Sequence, residues 1–285
     1  MKIQFLTRQV DIRRSHELVI EAKKQGHHVS LLDTSSFSIC FQKGLFYKGT
    51  LWRPVDLVYP FWAKKDTFLP VVLQMMSRKA QRIYKPITQD LPTKLSAAFL
   101  LQQAGLPTPK TITGNKLEAI LPLLKQFTLP CVVKISSSSQ GKGVFLYKNY
   151  NALCSQVDNL CNEGIDFVVQ ECLYPIGQDI RAFVVNDKVI AAMERNSTTG
   201  DFRANISLGG IGTTTILSTE EDQLVRHAAS VFGLRMSGVD FMRTHSGPIL
   251  LEVNKEPGFK GITAATNINV AQKVIEDFSI FCRNE

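Results

Sequence analysis

Two carboxylates and a carboxamide late in the chain could together bind a divalent cation: Asp240, Glu252 and Asn254. They lie in segment 237–254, whose two runs of β-branched and apolar residues predict a β-hairpin. Its turn would be a three-residue loop, 245–247, with Gly at the last position. Because side chains alternate along a strand, Asn254 shares a face with Glu252. Oxygen ligands of this kind suit Mg²⁺ or Mn²⁺ rather than zinc.

The pairing of the two strands decides whether these groups meet. If Thr244 pairs with Pro248, counting back along antiparallel strands sets Asp240 directly opposite Glu252. Directly opposed Cβ atoms lie about 4.5–5.5 Å apart, and like charges there are destabilising. A cation would relieve that repulsion, whereas a bulge would shift the register and leave both acids pointing into water. The pairing alone leaves a metal site and a solvated hairpin face both open.

Composition describes an ordinary globular protein. The chain has 285 residues, of which 44% are hydrophobic and 20% charged, enough for one large or two to three small domains. No apolar run approaches the roughly 20 residues needed to cross a bilayer, and no signal-peptide region opens the sequence. The six cysteines form no C-x-x-C pair. We therefore expect reduced thiols, no zinc site, no membrane partner and a cytoplasmic location.

The net charge of +8 favours anionic partners such as nucleotides, acidic peptides or nucleic acid, but it equally serves general solubility. A nucleic-acid binder would carry a basic stripe with interleaved aromatic residues or a known motif, and the sequence has neither. The missing motif and stripe argue against nucleic acid, and the net charge itself does not choose among the partners.

Hydrophobic periodicity predicts the elements that must position a site. The first third reads as a βαβ unit, which predicts a parallel sheet, and it lacks the G-x-G-x-x-G fingerprint of a dinucleotide site. The pattern breaks near residue 90, and α+β structure follows. We predict strands at 2–7, 28–32, 131–135, 144–147, 167–171, 180–185 and 189–194, and helices at 15–24, 95–103, 152–160, 218–232 and 270–281.

Several polar residues upstream of the hairpin could contact phosphate, although each signal is weak alone. Lys134 ends a buried-type strand and precedes the Ser- and Gly-rich loop 136–143, whose spacing differs from a Walker P-loop. Asp179 and Arg181 share a strand face, which is also the pattern of a surface ion pair. The loop 198–205, which follows Arg195 and contains Arg203 and Asn205, could hold phosphate oxygens or simply be solvated.

Taken in order, these motifs resemble those of ATP-grasp carboxylate–amine ligases, and in particular the RimK-type α-L-glutamate ligases that modify a ribosomal protein. The similarity extends from the βαβ start to the terminal helix, and the ordered set is far more specific than any single motif. The motifs are Lys94 at a helix start, Val132-Val-Lys134, Gln140-Gly-Lys-Gly-Val144, Val169-Gln-Glu171, Asp179-Ile-Arg181, Gly200-Asp-Phe-Arg-Ala-Asn205, Gly238-Val-Asp240 and Glu252-Val-Asn254 with Pro257-Gly258.

The resemblance implies an N-terminal βαβ (pre-ATP-grasp) domain followed by a two-subdomain ATP-grasp fold with ATP between the subdomains. The expected parts are 1–90, 91–171 and 172–285. Lys94 and Lys134 would contact the phosphates, together with Gln140 and Gly141 of the loop. Gln170, Glu171 and Cys172 would border the adenine, and Asp179 with Arg181 would approach the ribose.

The resemblance also implies the chemistry. Arg203 and Asn205 would face the γ-phosphate and the substrate carboxylate, while Asp240, Glu252 and Asn254 would hold two Mg²⁺ (or Mn²⁺) ions. ATP would convert a carboxylate to an acyl phosphate, which an amine then attacks to form an amide. The expected amine is an amino acid such as glutamate, and the expected acceptor is an acidic peptide, a protein tail or a small-molecule carboxylate.

Alternatives remain open at this stage. Within the class, the acceptor could be an amino-group carrier protein or a metabolite, and the family resemblance makes a homo-oligomer possible. A non-catalytic nucleotide-binding module is the second class, and it predicts the loss of a metal ligand or a phosphate contact. Three departures from the family pattern are present. Serines 136–139 before Gln140 concern loop closure over ATP, Cys172 in place of an aromatic residue concerns adenine packing, and Lys255-Glu256 before Pro257 concerns substrate specificity.

Overall fold

The computed structural model describes residues 1–13, 15–61, 67–79, 81–85, 93–136 and 143–283. The chain divides into two compact units. Unit 1 contains 1–91, 233–236 and 269–285, and unit 2 contains 92–232 and 237–268. Within the described ranges, every helix is too short or too polar to cross a membrane.

The regular elements follow the predicted order closely. In chain order they are β1 (Lys2–Thr7), α1 (Val10–Arg13), α2 (Glu17–Lys24), β2 (His28–Asp33), β3 (Phe37–Cys40), β4 (Gly44–Tyr47), β5 (Thr50–Leu51), β6 (Leu57–Pro60), α3 (Phe68–Ser77), α4 (Lys94–Gln103), β7 (Thr111–Ile112), α5 (Leu117–Leu124), β8 (Cys131–Ile135), β9 (Val144–Tyr147), α6 (Tyr150–Asn162), β10 (Phe167–Glu171), β11 (Gln178–Val185), β12 (Lys188–Asn196), β13 (Ile211–Thr214), α7 (Thr219–Val231), β14 (Met236–Thr244), β15 (Gly247–Asn254), α8 (Lys260–Thr266) and α9 (Val270–Arg283). Each strand or helix predicted above has its counterpart among them.

Unit 1 is built on a parallel sheet with the order β2-β1-β6, which confirms the βαβ prediction. A small antiparallel sheet, β3-β4-β5, follows β2 and was not predicted. Helix α9 packs against the parallel sheet, where the Phe278 ring lies 5.6 Å from that of Tyr59 and 4.5 Å from that of Tyr84. The contacts therefore group the end of the chain with unit 1, whereas the sequence assigned it to the part 172–285.

Unit 2 contains two antiparallel-rich sheets, each with its own core. The first has the order β7-β10-β8-β9, and α5 and α6 supply the helical side of its core. The second has the order β13-β12-β11-β14-β15, and α7 packs on one face of it. The two cores agree with a division of this region into two parts, although the exact boundaries 91–171 and 172–285 stay a prediction.

Local sequence signals explain how these elements begin and turn. The hydroxyl of Ser218 accepts a bond from the backbone N–H of Glu221 at 3.1 Å, and the Glu221 carboxylate accepts from the Ser218 N–H at 2.9 Å. This reciprocal capping box starts α7, as predicted. The β11–β12 hairpin turns at Asn186 and Asp187, whose φ angles are 48° and 57°. Both residue types tolerate the left-handed region that such a tight turn requires.

A buried polar cluster ties α9 to the rest of unit 1. Asp277 accepts from the Tyr84 hydroxyl at 2.6 Å and from Nε and Nη2 of Arg235 at 2.7 and 2.9 Å. Burial and the nearby negative charge of Asp277 raise the pKa of Tyr84 well above its ordinary value, so the phenol remains a hydrogen-bond donor. Removing one partner from such a buried cluster leaves an uncompensated buried charge, which strongly destabilises the fold.

We predict that Asp277→Asn lowers the free energy of unfolding by about 3 kcal/mol, because it leaves Arg235 without its buried counter-charge. Urea unfolding followed by fluorescence measures the loss. Glu276→Gln is the matched control on the same helix, because Glu276 forms an exposed ion pair with Lys273. Such surface pairs contribute about 0–1 kcal/mol. Equal effects of the two substitutions would contradict the structural role assigned to Asp277.

Candidate nucleotide and metal site

The β14–β15 hairpin turns one residue earlier than predicted. Thr244 pairs with Gly247 rather than with Pro248, so the loop has two residues, 245–246, and the predicted three-residue loop is wrong. The Thr244 side chain explains the difference, since its hydroxyl accepts from the Ser246 N–H at 3.2 Å and donates to the Gly247 carbonyl at 2.8 Å. Gly247 has a φ of 105°, which a residue with a Cβ rarely adopts.

A β-bulge then restores the predicted opposition. Phe241 pairs with Leu250, whereas Asp240 pairs with Glu252, and Leu251 is the extra residue on β15. The bulge shifts the register by one residue and so cancels the effect of the shorter turn. Asp240 and Glu252 therefore lie directly opposite each other, as the sequence predicted.

Two arginines hold Asp240. Arg181 donates to it through Nε and, at 2.6 Å, through Nη2, and Arg195 donates through Nη2 at 2.9 Å. Asp240 is only 4% exposed. Burial by itself raises the pKa of Asp240, but the two guanidinium groups outweigh it and hold that pKa below its ordinary value. The carboxylate is therefore charged and fixed in orientation.

Arg195 is the residue that sequence reasoning undervalued. It pairs with Asp179 across β11 and β12, with Nε and Nη2 at 2.5 and 2.7 Å from the two carboxylate oxygens. Burial opposes its charge, but Asp240 and Asp179 together raise the pKa of Arg195 above its usual range. Burial and the like charge of Asp240 in turn raise the pKa of Asp179, although Arg195 lowers it. Ile180 packs behind the pair in the core, as predicted.

Glu252 and Asn254 complete the carboxylate side of the site. In the amide orientation that satisfies both of its polar atoms, Asn254 donates to Glu252 Oε1 at 3.0 Å and accepts from Arg181 Nη2 at 3.0 Å. Burial and, next, the charge of Asp240 raise the pKa of Glu252. The like-charge repulsion inferred from strand counting is thus present in the structure.

Two lysines lie within electrostatic reach of these acids. Lys94 is the first residue of α4, and its ammonium group donates to the Ile135 carbonyl at 3.2 Å. Lys134 lies on β8, where burial and then Lys94 lower its pKa while Glu252 and Asp240 act in the opposite direction. The structure therefore brings both predicted phosphate lysines together with both predicted metal-binding acids.

The residues predicted to border adenine lie along the same sheet as Lys134. Gln170 is buried, and its amide nitrogen donates to the Thr111 hydroxyl at 2.9 Å. Its side-chain oxygen is buried and accepts no hydrogen bond from any donor within the described ranges. The neighbouring Glu171 accepts from the backbone N–H of Lys110 at 2.7 Å. Cys172 is a free, half-buried thiol, and burial raises its pKa.

Arg203 and Asn205 lie in the connection between β12 and β13. Arg203 donates to Asp201 through Nε at 3.0 Å and Nη2 at 2.7 Å, and the Asn205 carbonyl accepts from the backbone of Gly210 at 3.2 Å. These contacts order the loop itself, so an approach of either residue to substrate stays a prediction. Gln140 and Gly141 lie outside the described residues.

Gly238 is required by the packing around Arg181. A Cβ at this position would lie 2.8 Å from the Pro257 Cβ and 3.2 Å from the Arg181 Cδ, closer than carbon atoms normally approach. Any side chain here would displace the arginine that holds Asp240. The glycine that begins the Gly238-Val-Asp240 motif therefore has a steric reason.

The donor set fits a hard divalent cation. It combines the carboxylates of Asp240 and Glu252 with the Asn254 amide, and oxygen donors of this kind suit Mg²⁺. Burial first, and then the charge of Asp240, raise the pKa of Glu252, and a bound cation would favour its charged form. Within the described part of the chain, no cluster of three or more His, Cys, Asp or Glu side chains could hold a metal ion. Mg²⁺ is usually bound by one or two carboxylates together with substrate phosphates and water.

Comparison with known proteins decides the family. Residues 92–278 match the RimK-like ATP-grasp domain. The chain belongs to the RimK-like ATP-grasp family. A probable alpha-L-glutamate ligase from Stenotrophomonas maltophilia (strain K279a) is 33% identical over 287 residues, which cover 97% of each protein.

Solved structures agree on the ATP-grasp fold. The ATP-grasp ligase PsnB complexed with minimal precursor, Mg and ADP superposes with a TM-score of 0.79 at 20% identity, covering 98% of this chain and 97% of the other. A D-alanine–D-alanine ligase from Bacillus anthracis complexed with ATP superposes with a TM-score of 0.70 at 17% identity, covering 100% and 98%. At these identities the likeness establishes the fold alone.

The predicted family, fold class and enzyme class are therefore confirmed. This RimK-like protein is an ATP-dependent carboxylate–amine ligase, which excludes the non-catalytic nucleotide-binding module. ATP-grasp enzymes use ATP and Mg²⁺.

We predict that Glu252→Gln stabilises the nucleotide-free protein at about pH 7. A carboxyl with a raised folded-state pKa keeps its proton over a pH range in which the unfolded chain has already lost it. Stability therefore falls as pH rises through the ordinary Glu pKa to the folded-state value, and the glutamine variant avoids that loss. Urea unfolding at about pH 4 and about pH 7 should show a gain that grows with pH.

Glu163→Gln, at the exposed end of α6, is the control and should show no such pH-dependent gain. A loss of stability in Glu252→Gln at about pH 7 would instead mean that Glu252 stabilises the hairpin through its bonds to Asn254.

Proposed function

We propose that this ligase joins the amino group of an amino acid, with glutamate as the first candidate, to a carboxylate of an acidic peptide, protein tail or small molecule. The observation that carries the proposal is the convergence in unit 2 of two lysines, Lys94 and Lys134, on the opposed acids Asp240 and Glu252. A polyphosphate with its metal ions would place negative oxygens beside the lysines and positive ions beside the acids.

In this proposal the residues divide into a nucleotide set and a metal set. Lys94 and Lys134 bind phosphate oxygens, and Asp240, Glu252 and Asn254 hold two Mg²⁺ ions, which neutralise the charge of the transferring phosphoryl group. The other nucleotide contacts are those of the sequence assignment: Gln140 and Gly141 over the phosphates, Gln170, Glu171 and Cys172 beside the adenine, and Asp179 with Arg181 towards the ribose.

The reaction has two steps and needs no protein nucleophile. A carboxylate oxygen attacks the γ-phosphorus of ATP, the bond to the bridging oxygen breaks, and ADP leaves. The amine nitrogen of the second substrate then attacks the acyl carbon, phosphate leaves with the former carboxylate oxygen, and the nitrogen loses a proton to give the amide. Positioning and charge neutralisation suffice for such transfers.

Two comparisons support the substrate class. The relative from S. maltophilia is named for glutamate ligation, and PsnB was solved with a precursor. The net charge of +8 suits an acidic acceptor. An amino-group carrier protein or a small metabolite would satisfy the same chemistry, and the acceptor panel below separates these cases.

We predict that the protein releases phosphate from ATP only when both a carboxylate and an amine substrate are present. Phosphate release is measured with the twenty amino acids singly, each with and without an acidic C-terminal peptide or a small dicarboxylate, and mass spectrometry identifies the product. Glutamate with the acidic peptide should give the largest rate and a mass increase of one residue per addition. A suitable pair among other amino acids and metabolites would redirect the substrate assignment.

We predict that Arg203→Ala folds normally but loses turnover by about 10²–10³, because a preorganised cation aimed at developing charge contributes on that scale. Arg226→Ala is the matched control, since Arg226 also pairs with a neighbouring aspartate, Asp222, on an exposed surface. Single-turnover amide formation compares the two. Near-normal turnover in Arg203→Ala would remove Arg203 from the catalytic set.

A further inference from the structure

Strand β13 forms one outer edge of the five-stranded sheet in unit 2, and β12 is its only hydrogen-bonded neighbour among the described strands. The Thr215 N–H, directly after β13, donates to the Ala192 carbonyl at 3.1 Å. Because backbone groups that face the partner alternate along an antiparallel strand, those of Thr213 also face β12. Gly212 and Thr214 therefore direct their N–H and C=O groups away from the sheet.

This outer edge of β13 is exposed to solvent. Ile211 is 57% exposed, and Ile216, two residues after the strand, is 92% exposed. Thr213 and Thr214 are exposed as well. A row of unpaired backbone groups at a sheet edge is a template for pairing with another strand. The exposure of the side chains beside that row makes the β13 edge accessible to such a strand.

Proteins protect an exposed edge with charged side chains, proline, a bulge or a covering segment. The opposite edge of the same sheet, β15, has two of these features, because Leu251 forms a bulge and the Leu250 N–H donates to the Pro107 carbonyl at 2.8 Å. Segment 210–217 has neither charge nor proline, and its pairing with β12 contains no bulge. As far as the structure describes the chain, the β13 edge has none of these protections.

The side chains along β13 form a row that is complementary to itself when it is reversed. Ile211, Thr213 and Thr215 share one face, because side chains alternate along a strand. If two copies pair antiparallel about Thr213, the two Thr213 side chains lie opposite each other, and Ile211 lies opposite Thr215 of the partner subunit. Gly212 then lies opposite Thr214 of the partner subunit, and each such pair exchanges both of its N–H···O=C bonds.

Charge near the edge favours a second copy over an acidic peptide. Glu194 pairs with Thr213 across β12 and β13. The ion pair between Glu194 and Arg243 is long, at 3.9 Å, whereas Arg243 binds Glu221 at 2.6 Å. An acidic strand beside β13 would bring further negative charge towards Glu194, which is destabilising. The uncharged β13 of a second copy would not.

We propose that two copies of this chain associate through their β13 strands and form one continuous antiparallel sheet, with a two-fold axis beside Thr213. Cross-strand pairs of threonines stabilise such a sheet. A two-fold contact of this kind closes on itself, so association at this edge stops at two copies. The contact concerns assembly, and it does not depend on which acceptor the ligase uses.

Sedimentation equilibrium of the full chain, with light scattering as a second measurement, tests this contact. The unaltered protein should form a dimer. Thr213→Lys should weaken the dimer at least about a hundredfold, because the two-fold axis sets the two new charges against each other. Thr213→Glu should do the same. An equimolar mixture of the two variants should associate again, because unlike charges then lie opposite each other.

A second pair of variants tests the backbone bonds. Thr214→Pro removes an N–H that points outward and should weaken the dimer at least about tenfold. Proline is tolerated in an edge strand where the N–H side faces solvent. Thr214→Val is the matched control, because it keeps both the N–H and a β-branched side chain, and it should associate like the unaltered protein. Urea unfolding checks that each variant folds.

Three results would overturn the proposal. The first is an unaltered chain that remains a monomer up to about 0.1 mM. The second is a dimer that Thr213→Lys does not weaken, which would place the contact on another surface. The third is an acidic peptide that binds the unaltered chain and is lost in Thr214→Pro without any change in oligomeric state, which would assign the edge to the peptide. If Thr214→Pro does not fold, the mixture of the two Thr213 variants decides alone.

Discussion

The candidate active site depends on one buried ionic network that crosses three neighbouring strands. Asp179 and Arg181 come from β11, Arg195 from β12 and Asp240 from β14. Two acids and two arginines give a set without net charge, so the sheet can bury it. Removing any one member would leave an uncompensated buried charge, which costs more than the complete set contributes. The network therefore fixes the orientation of Asp240 more than it stabilises the fold.

Two β-bulges place these partners in register. On β12 the extra residue is Ile190, and on β15 it is Leu251. Without the first bulge, pairing back from the turn at 186–187 would set Glu194 opposite Asp179, which would create a repulsion. Without the second, the two-residue turn would set Leu251 opposite Asp240. Bulges are common where a strand must redirect a side chain, and here each brings a charged partner to the site face while the alternate residues remain in the core.

The sequence predicted the helices and strands well, and also the repulsion between Asp240 and Glu252, because both predictions use local pattern. The capping box at Ser218 and the turn at 186–187 each specify a local geometry. The opposition of Asp240 and Glu252 was predicted from a turn one residue too long and a register without a bulge, and the two errors cancelled. The pairing of Arg195 with Asp179 could not be predicted, since nothing in the local pattern marks Ile190 as a bulged residue.

Local sequence pattern also did not predict the contacts between distant parts of the chain. Helix α9 was predicted from its apolar periodicity, but its packing against Tyr59 and Tyr84 in unit 1 requires the end of the chain to pack against its first residues.

The positions of the charges relative to one another also could not be predicted from the sequence. The sequence gives +8 in total, whereas the structure shows where opposite charges fail to balance. The network around Asp240 has no net charge of its own, and Glu252, Lys94 and Lys134 are further ionisable groups that interact electrostatically beside it. In the proposed function, a nucleotide with its metal ions would bring negative oxygens to the lysines and positive ions to the acids.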